Sequence, residues 1–291
     1  VRCKDTPNFL GNRIGLYSMA LVLRTMVDLD MTLEEVDTLT GPATGRPKSA
    51  TFRTADIAGV DVVAKVAQNL YDGAPDDPER DTFVLPDFVA QMLERGWLGQ
   101  KTGSGFYKKE GKEIRTLDWK TFEYRERVKP KFPMVDAGRS LEDVGERIQM
   151  ILKGKDKAAD FLWRVLSSSC LYAASLVPEI SDDVVSVDHA MEWGYAWGQG
   201  PYRLLDTLGV AAVVERVLDE VVGKGVVRCK DTPTLIGNRI GLYGMALCLR
   251  TMVELDMTIE EVDALTGPAT GRPKSATFRT ADIAGVDVVA K

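Results

Sequence analysis

Asp5-Thr6-Pro7-Asn8-Phe9-Leu10-Gly11-Asn12-Arg13-Ile14-Gly15-Leu16-Tyr17 opens a stretch that keeps Leu10, Ile14, Tyr17, Leu21 and Met26 at helical spacing to about Asp28. Asp5-Thr6 ahead of Pro7 reads as a helix start, a capping side chain followed by a proline whose missing N–H costs nothing there. The stretch then returns: Val227–Lys291 repeats Val1–Lys65 and differs at eight positions. These are Asn8/Thr234, Phe9/Leu235, Leu10/Ile236, Ser18/Gly244, Val22/Cys248, Asp28/Glu254, Leu33/Ile259 and Thr38/Ala264. Most swaps are apolar for apolar or acid for acid and keep side-chain size. The two copies are therefore expected to share one local fold.

Working outward, Thr32-Leu33-Glu34-Glu35 is a capping box that opens a short helix ending near Thr40. A Gly/Pro-rich loop, Gly41–Pro47, leads to helix over Ala50 to Tyr71 with a break at Gly59. Asp72–Glu79 reads as a loop, Leu85–Arg95 as an amphipathic helix, and Ser140 to Leu152 as another. Residues 109–140 are charged but carry Trp119, Phe122 and Tyr124, so they read as an ordered connector.

From Ala158 the first pattern recurs in diverged form, with a long helix over Phe161–Leu176 and a short one opened by Ser181-Asp182-Asp183. Asp206-Thr207-Leu208-Gly209-Val210 lines up with Asp56-Ile57-Ala58-Gly59-Val60. The expected organisation is a first helical module over 1–108, a connector with a helix over 109–157, a diverged module over 158–220, and a strand stub with the truncated near-copy over 221–291. Nothing reads as a multi-stranded sheet, and the expected fold is all-α.

Hydrophobic residues make up 45% and charged residues 27%, an ordinary soluble balance. A net charge of −6 gives no electrostatic reason to bind nucleic acid or an anionic membrane. Gly15–Val27, interrupted by Arg24, is too short to span a bilayer. Four cysteines without CxxC spacing and no N-terminal signal pattern point to a reduced, cytoplasmic setting.

Lys4-Asp5-Thr6-Pro7-Asn8-Phe9-Leu10-Gly11-Asn12-Arg13 and Trp97-Leu98-Gly99-Gln100-Lys101-Thr102-Gly103-Ser104-Gly105-Phe106-Tyr107 resemble the opening and closing motifs of the 3-hydroxyacyl-CoA dehydrogenase C-terminal helical domain. Gly200-Pro201-Tyr202-Arg203-Leu204-Leu205-Asp206 is similar to a third motif of that domain and marks a second, diverged copy. The resemblance implies tandem helical domains that pack in pairs. It also implies an activity, oxidation of a (3S)-3-hydroxyacyl-CoA in fatty-acid β-oxidation, with hydride passing to NAD and a proton to a base.

Bottom-up, that chemistry needs a phosphate cradle and an acid/base group. Gly103-Ser104-Gly105 and Gly223-Lys224-Gly225 lack the third glycine and the βαβ context of a dinucleotide fingerprint. The sole histidine, His189, lies in the diverged module and reads as structural or surface. NAD is thus expected only with a further domain, and no cofactor or metal site is assigned to these residues.

The resemblance places Asn12, and its twin Asn238, at the family's asparagine near the substrate oxygen. An amide suits a group changing from alcohol to ketone, because it both donates and accepts; the structural alternative is an Asn serving backbone at a domain junction. Lys48 and Ser49, with twins Lys274 and Ser275, follow the Gly/Pro loop at an expected helix start, where an acyl-CoA phosphate would be held; a helix cap and a solvated lysine are the plainer alternative. Trp193, Tyr195 and Trp197 read as packing or an aromatic platform, and Arg24 and Arg250 as partners of acids the sequence does not name.

The expected function is the substrate-side and dimerisation region of the dehydrogenase, inactive alone, with an acyl-CoA thioester and a homo-oligomeric or NAD-domain partner. The alternative is a non-catalytic assembly module, a segment-swapped oligomer or a tandem fusion.

Overall fold

The computed structural model describes residues 3–220 and 236–284. They fall into two units, one within residues 1–222 and one within 223–291. The expected strand stub at 221–227 lies outside the described residues.

In the first unit, α1 (Phe9–Asp28) is followed by α2 (Leu33–Leu39), α3 (Phe52–Ala58), α4 (Val60–Gly73) and α5 (Asp87–Glu94). Three strands come next, β1 (Tyr107–Glu110), β2 (Glu113–Asp118) and β3 (Glu123–Glu126). Helices α6 (Pro133–Gly138), α7 (Val144–Leu152), α8 (Lys157–Ser175), α9 (Val184–Gly194), α10 (Pro201–Leu208) and α11 (Val210–Glu220) complete it.

Thr32 and Glu35 cap α2 reciprocally, as the capping box predicts. Gly59 separates α3 from α4 at φ 100°, a conformation that a residue with a Cβ adopts only under strain. The start of α1 differs from expectation. It begins at Phe9, with Asn8 and Phe9 both left-handed and no side-chain cap. The Phe9 amide instead donates to the Thr6 carbonyl in a tight turn (2.9 Å).

The fold is mostly helical, but the connector contains an antiparallel sheet of order β1-β2-β3 that the sequence reading missed. The sheet is fastened to the helices by specific bonds. Glu34, buried in the first turn of α2, accepts both guanidinium bonds of Arg125 at 2.8 Å. The Trp119 indole donates to the Met31 carbonyl (2.9 Å).

The repeat relation is visible in wiring as well as order. Asp37 accepts from the Thr51 and Phe52 amides, and Asp188 accepts from the Tyr202 and Arg203 amides at the corresponding places. Gly209 keeps the positive φ of Gly59. The leading helices of the two repeats, α1 and α8, pack together, and each also packs against the second helix of the other repeat. One core runs through both, from Leu10 and Ile14 to Phe161 and Val165.

That core encloses a charged cluster. Arg13 is buried on α1, donates to Asp77 (2.7 and 3.2 Å) and Tyr172 (3.2 Å), and pairs with Glu179 (2.5 Å). Burial opposes its charge, but the bonds from Glu179, Asp77 and Tyr172 outweigh it and hold its pKa above the ordinary value. Tyr17 stacks on Tyr172 beside it, centroids 3.8 Å apart.

In the second unit, α12 (Ile236–Glu254), α13 (Ile259–Thr266) and α14 (Phe278–Ala284) reproduce the local structure of the first copy. Thr258 and Glu261 form the same capping box, and Asp263 accepts from the Thr277 and Phe278 amides as Asp37 does in copy one. Arg250 finds its acid in Glu254, one of the substituted positions, at 2.7 Å. Arg24 instead donates to the Asp81 carbonyl.

Candidate functional site

Asn12 sits in the first turn of α1, solvent-exposed and one residue from the buried Arg13. Gly11 and Gly15 lie one turn apart on the same helix and leave a groove without side chains. The ring of Tyr195, just beyond α9, occupies it: a Cβ at Gly15 would meet the ring at 2.6 Å and one at Gly11 at 3.0 Å. So seated, the Tyr195 hydroxyl donates to Asn12 Oδ1 at 2.5 Å. Burial raises the Tyr195 pKa, which keeps the phenol protonated as that donor. The Asn12 carbonyl thereby accepts one bond, while the amide NH2 of this exposed residue has no hydrogen-bond partner among the described residues.

The loop carrying Tyr195 continues along the Gly/Pro-rich loop of the first repeat. Trp197 is buried under the Arg46 guanidinium (4.1 Å), which also donates to Ser18 Oγ (3.2 Å). Burial lowers the Arg46 pKa to about 10, so it stays cationic at neutral pH. The Gly198 amide donates to the Gly45 carbonyl at 2.7 Å. A Cβ at Gly45 would strike Val144 at 2.7 Å, and the φ there is 71°. His189 stacks on the exposed Trp193, centroids 4.2 Å apart.

Lys48 and Ser49 lie elsewhere, in the wall of a cavity of about 580 Å³ that Arg53, Tyr107 and Arg127 also line and Asn12 does not. The predicted sites are therefore not one site. The amides at the head of α3, from Thr51 and Phe52, already donate to Asp37 Oδ1 (3.0 and 2.9 Å). Ser49 Oγ accepts from Thr54 (2.8 Å).

In the second unit, Ser275 repeats this bond with Thr280 (2.8 Å), beside Lys274. No counterpart of the wall residues 100–127 lies in the described part of that unit. Asn238 falls on α12, and its side chain is outside the described residues.

The Gly-rich closing motif serves packing. A Cβ at Gly105 would sit 2.1 Å from Asp56, whose carboxylate accepts from the Phe106 and Tyr107 amides at 2.8 Å each. Gly99 and Gly105 let this segment press onto Asp56 of α3, whereas Gly103 has open space beside it. Among the described residues no cluster of His, Cys, Asp and Glu could hold a metal ion, and no helix is long and apolar enough to cross a membrane.

Arg46 is a contact that sequence reasoning left unassigned, and Tyr195, read there as packing or an aromatic platform, was not linked to Asn12. The Gly11/Gly15 spacing was the available signal, since one bare turn of a buried helix asks for something to lie against it.

Residues 9–109 match the family model of the 3-hydroxyacyl-CoA dehydrogenase C-terminal domain. A Bacillus subtilis protein named as a probable 3-hydroxyacyl-CoA dehydrogenase is 44% identical over 217 residues, 75% of this chain and 27% of that protein. A Deinococcus radiodurans protein of the same name is 46% identical over 109 residues, 38% of this chain and 31% of that one. A Rickettsia felis protein named for a fatty acid oxidation complex trifunctional enzyme is 26% identical over 212 residues, 70% of this chain and 28% of its own length. The chain thus spans between a quarter and a third of these relatives. The crystal structure of 3-hydroxybutyryl-CoA dehydrogenase from Escherichia coli matches with a TM-score of 0.52 at 16% identity, over 77% of this chain and 58% of that one, a likeness of fold.

Proposed function

Because the chain belongs to the 3-hydroxyacyl-CoA dehydrogenase family through a helical domain of the C-terminal type, we propose that it forms the substrate side of such an enzyme, with Asn12 contacting the oxygen of an acyl-CoA thioester substrate. The observation that carries this is the state of the Asn12 amide. Its carbonyl is committed to Tyr195, so the NH2 is the half left to a ligand, and an N–H donor matches the 3-keto oxygen that the oxidation produces. Tyr195 is here a positioning residue, holding Asn12 in one rotamer and one flip state.

The residues do not fit NAD. The sheet is antiparallel, and Asp56 occupies the space beside Gly105 that a phosphate would need, so no hydride-transfer step is assigned to these residues. The test is calorimetric titration of acetoacetyl-CoA into the chain and its Asn12→Ala variant. Loss of one hydrogen bond to the ligand corresponds to about a tenfold rise in Kd. Equal Kd values for the two proteins would refute the role of Asn12.

A second reading, assembly, is favoured by the second unit. Ile14 and Tyr17 are 0% and 2% exposed, whereas their twins Ile240 and Tyr243 are 66% and 70% exposed. The occupant of the α12 face is then an α8 surface from another copy of the chain, exchanging with α1, whose sequence α12 nearly repeats. Light scattering that reports only monomer across a wide concentration range would rule it out.

A further inference from the structure

The cavity beside Lys48 lies between α2, α3 and the sheet, and its volume is that of a small-molecule site. Its walls carry the cations Lys48, Arg53, Lys108, Lys109 and Arg127. Lys108 is paired with Glu110 at 2.9 Å; the other four have no acid within ion-pair distance among the described residues. The carboxylates in the wall are already used. Asp37 accepts from two amides and from the Tyr107 hydroxyl (2.7 Å), and Asp56 accepts from two further amides.

The wall carboxylates are thus engaged by amides and the Tyr107 hydroxyl, and the four cations lack ion-pair partners among the described residues, although Arg127 lies over the Tyr107 ring (5.9 Å) and its charge acts on Asp37. A cavity in that condition is complementary to an anion, and it sits on a chain whose net charge is −6. Two apolar side chains, Ile57 (59% exposed) and Ile114 (42% exposed), face the same space. They provide a surface for an uncharged body next to the phosphate-binding groups.

We propose that this cavity binds a phosphorylated ligand of nucleotide size, its phosphates on the unpaired cations Lys48, Arg53, Lys109 and Arg127 and its base against Ile57 and Ile114. The site is independent of the Asn12 reading, since Asn12 takes no part in its wall. It occurs once among the described residues, because Lys274, Ser275 and Arg279 of the second unit lack a counterpart of the wall from Gln100 to Arg127.

The experiment is calorimetric titration of 3′,5′-ADP and, separately, ADP into the full chain at low and moderate salt. One site per chain is expected, weakening with salt, with tighter binding than inorganic phosphate. The double variant Arg53→Gln/Arg127→Gln is expected to weaken binding at least about tenfold, a loss of roughly 1.4 kcal/mol. Lys153→Gln, an exposed charge outside the cavity, serves as the control and leaves binding unchanged.

Should the double variant fail to fold, Lys109→Gln on the exposed edge of β1 carries the test, with an expected weakening of about threefold. Preference for 3′,5′-ADP identifies the ligand as the 3′-phosphorylated end of a coenzyme, and preference for ADP as a free nucleoside diphosphate. The proposal is overturned if neither nucleotide binds below about 1 mM. It is also overturned if the cavity variants bind as the parent does, or if two equivalent sites per chain appear.

Discussion

Arg13→Met should be among the most damaging single changes in the first unit. The substitution keeps a long unbranched side chain in place but removes a guanidinium that makes three bonds to Asp77 and Tyr172 and pairs with Glu179. Asp77 is the reason for the size of the effect: its side chain is 0% exposed, so it is left as a buried carboxylate facing a thioether. Removing one partner of a buried pair costs about 3–5 kcal/mol, while the exposed end at Glu179 adds little. At about 2–4 °C per kcal/mol for a domain of this size, the melting point should fall by roughly 6–20 °C.

Urea unfolding followed by circular dichroism measures the loss. The companion variant Arg13→Met/Asp77→Asn removes both charges and should recover more than half of it, since the amide oxygen that replaces the carboxylate can still accept from the Tyr172 hydroxyl. A single-variant loss below about 1 kcal/mol, the range of an exposed pair, would refute the reasoning. So would a double variant no better than the single one.

Burial lifts Asp37 and Asp56 from 3.8 to about 6, Asp37 despite three hydrogen bonds that pull the other way. The folded state then binds these protons more tightly than the unfolded one. Their contribution is complete below about pH 4 and is lost as pH rises to about 6, on the order of 3 kcal/mol per group. Asp37→Asn should flatten the stability slope across pH 4–6, and an unchanged slope in urea titrations would contradict this.

Gly15→Ala trades a helix-propensity gain of about 1 kcal/mol against a clash with Tyr195 costing about 1–3, so the net effect should be neutral to destabilising. Gly241→Ala, with nothing within 4 Å, should stabilise by the full propensity term; thermal melts compare the two. Ile14→Ala should cost about 2–5 kcal/mol and Ile240→Ala less than about 0.5 in the same chain. Equal costs would mean that the α12 face is covered in solution.

What could be read from the sequence was local. The Thr32–Glu35 box and the Gly59 break are encoded within four residues of where they act, and both appear where expected. The residues around Asp206 retain the spacing around Asp56 and Gly59, and Gly209 keeps the positive φ of Gly59. The sheet was hidden because β1 reads Tyr-Lys-Lys-Glu and β3 Glu-Tyr-Arg-Glu, with no apolar alternation; only Leu117 of β2 is a fully buried hydrophobe. The strands are specified by long-range anchors such as Arg125 on Glu34, which no window of sequence contains.

Asn12 was reached by resemblance, but the hydroxyl that orients it comes from Tyr195, 183 residues away. The phosphate expectation for Lys48 rested on a free helix start. Asp37 fills that start from α2, accepting from the Thr51 and Phe52 amides.

The most direct test of the account is a crystal structure of the chain with acetoacetyl-CoA bound. The account predicts the 3-keto oxygen within hydrogen-bond distance of Asn12 Nδ2, with the Tyr195 hydroxyl still on Oδ1. A thioester bound with its acyl end away from Asn12, or a Tyr195 ring displaced from the Gly11–Gly15 groove, would contradict it.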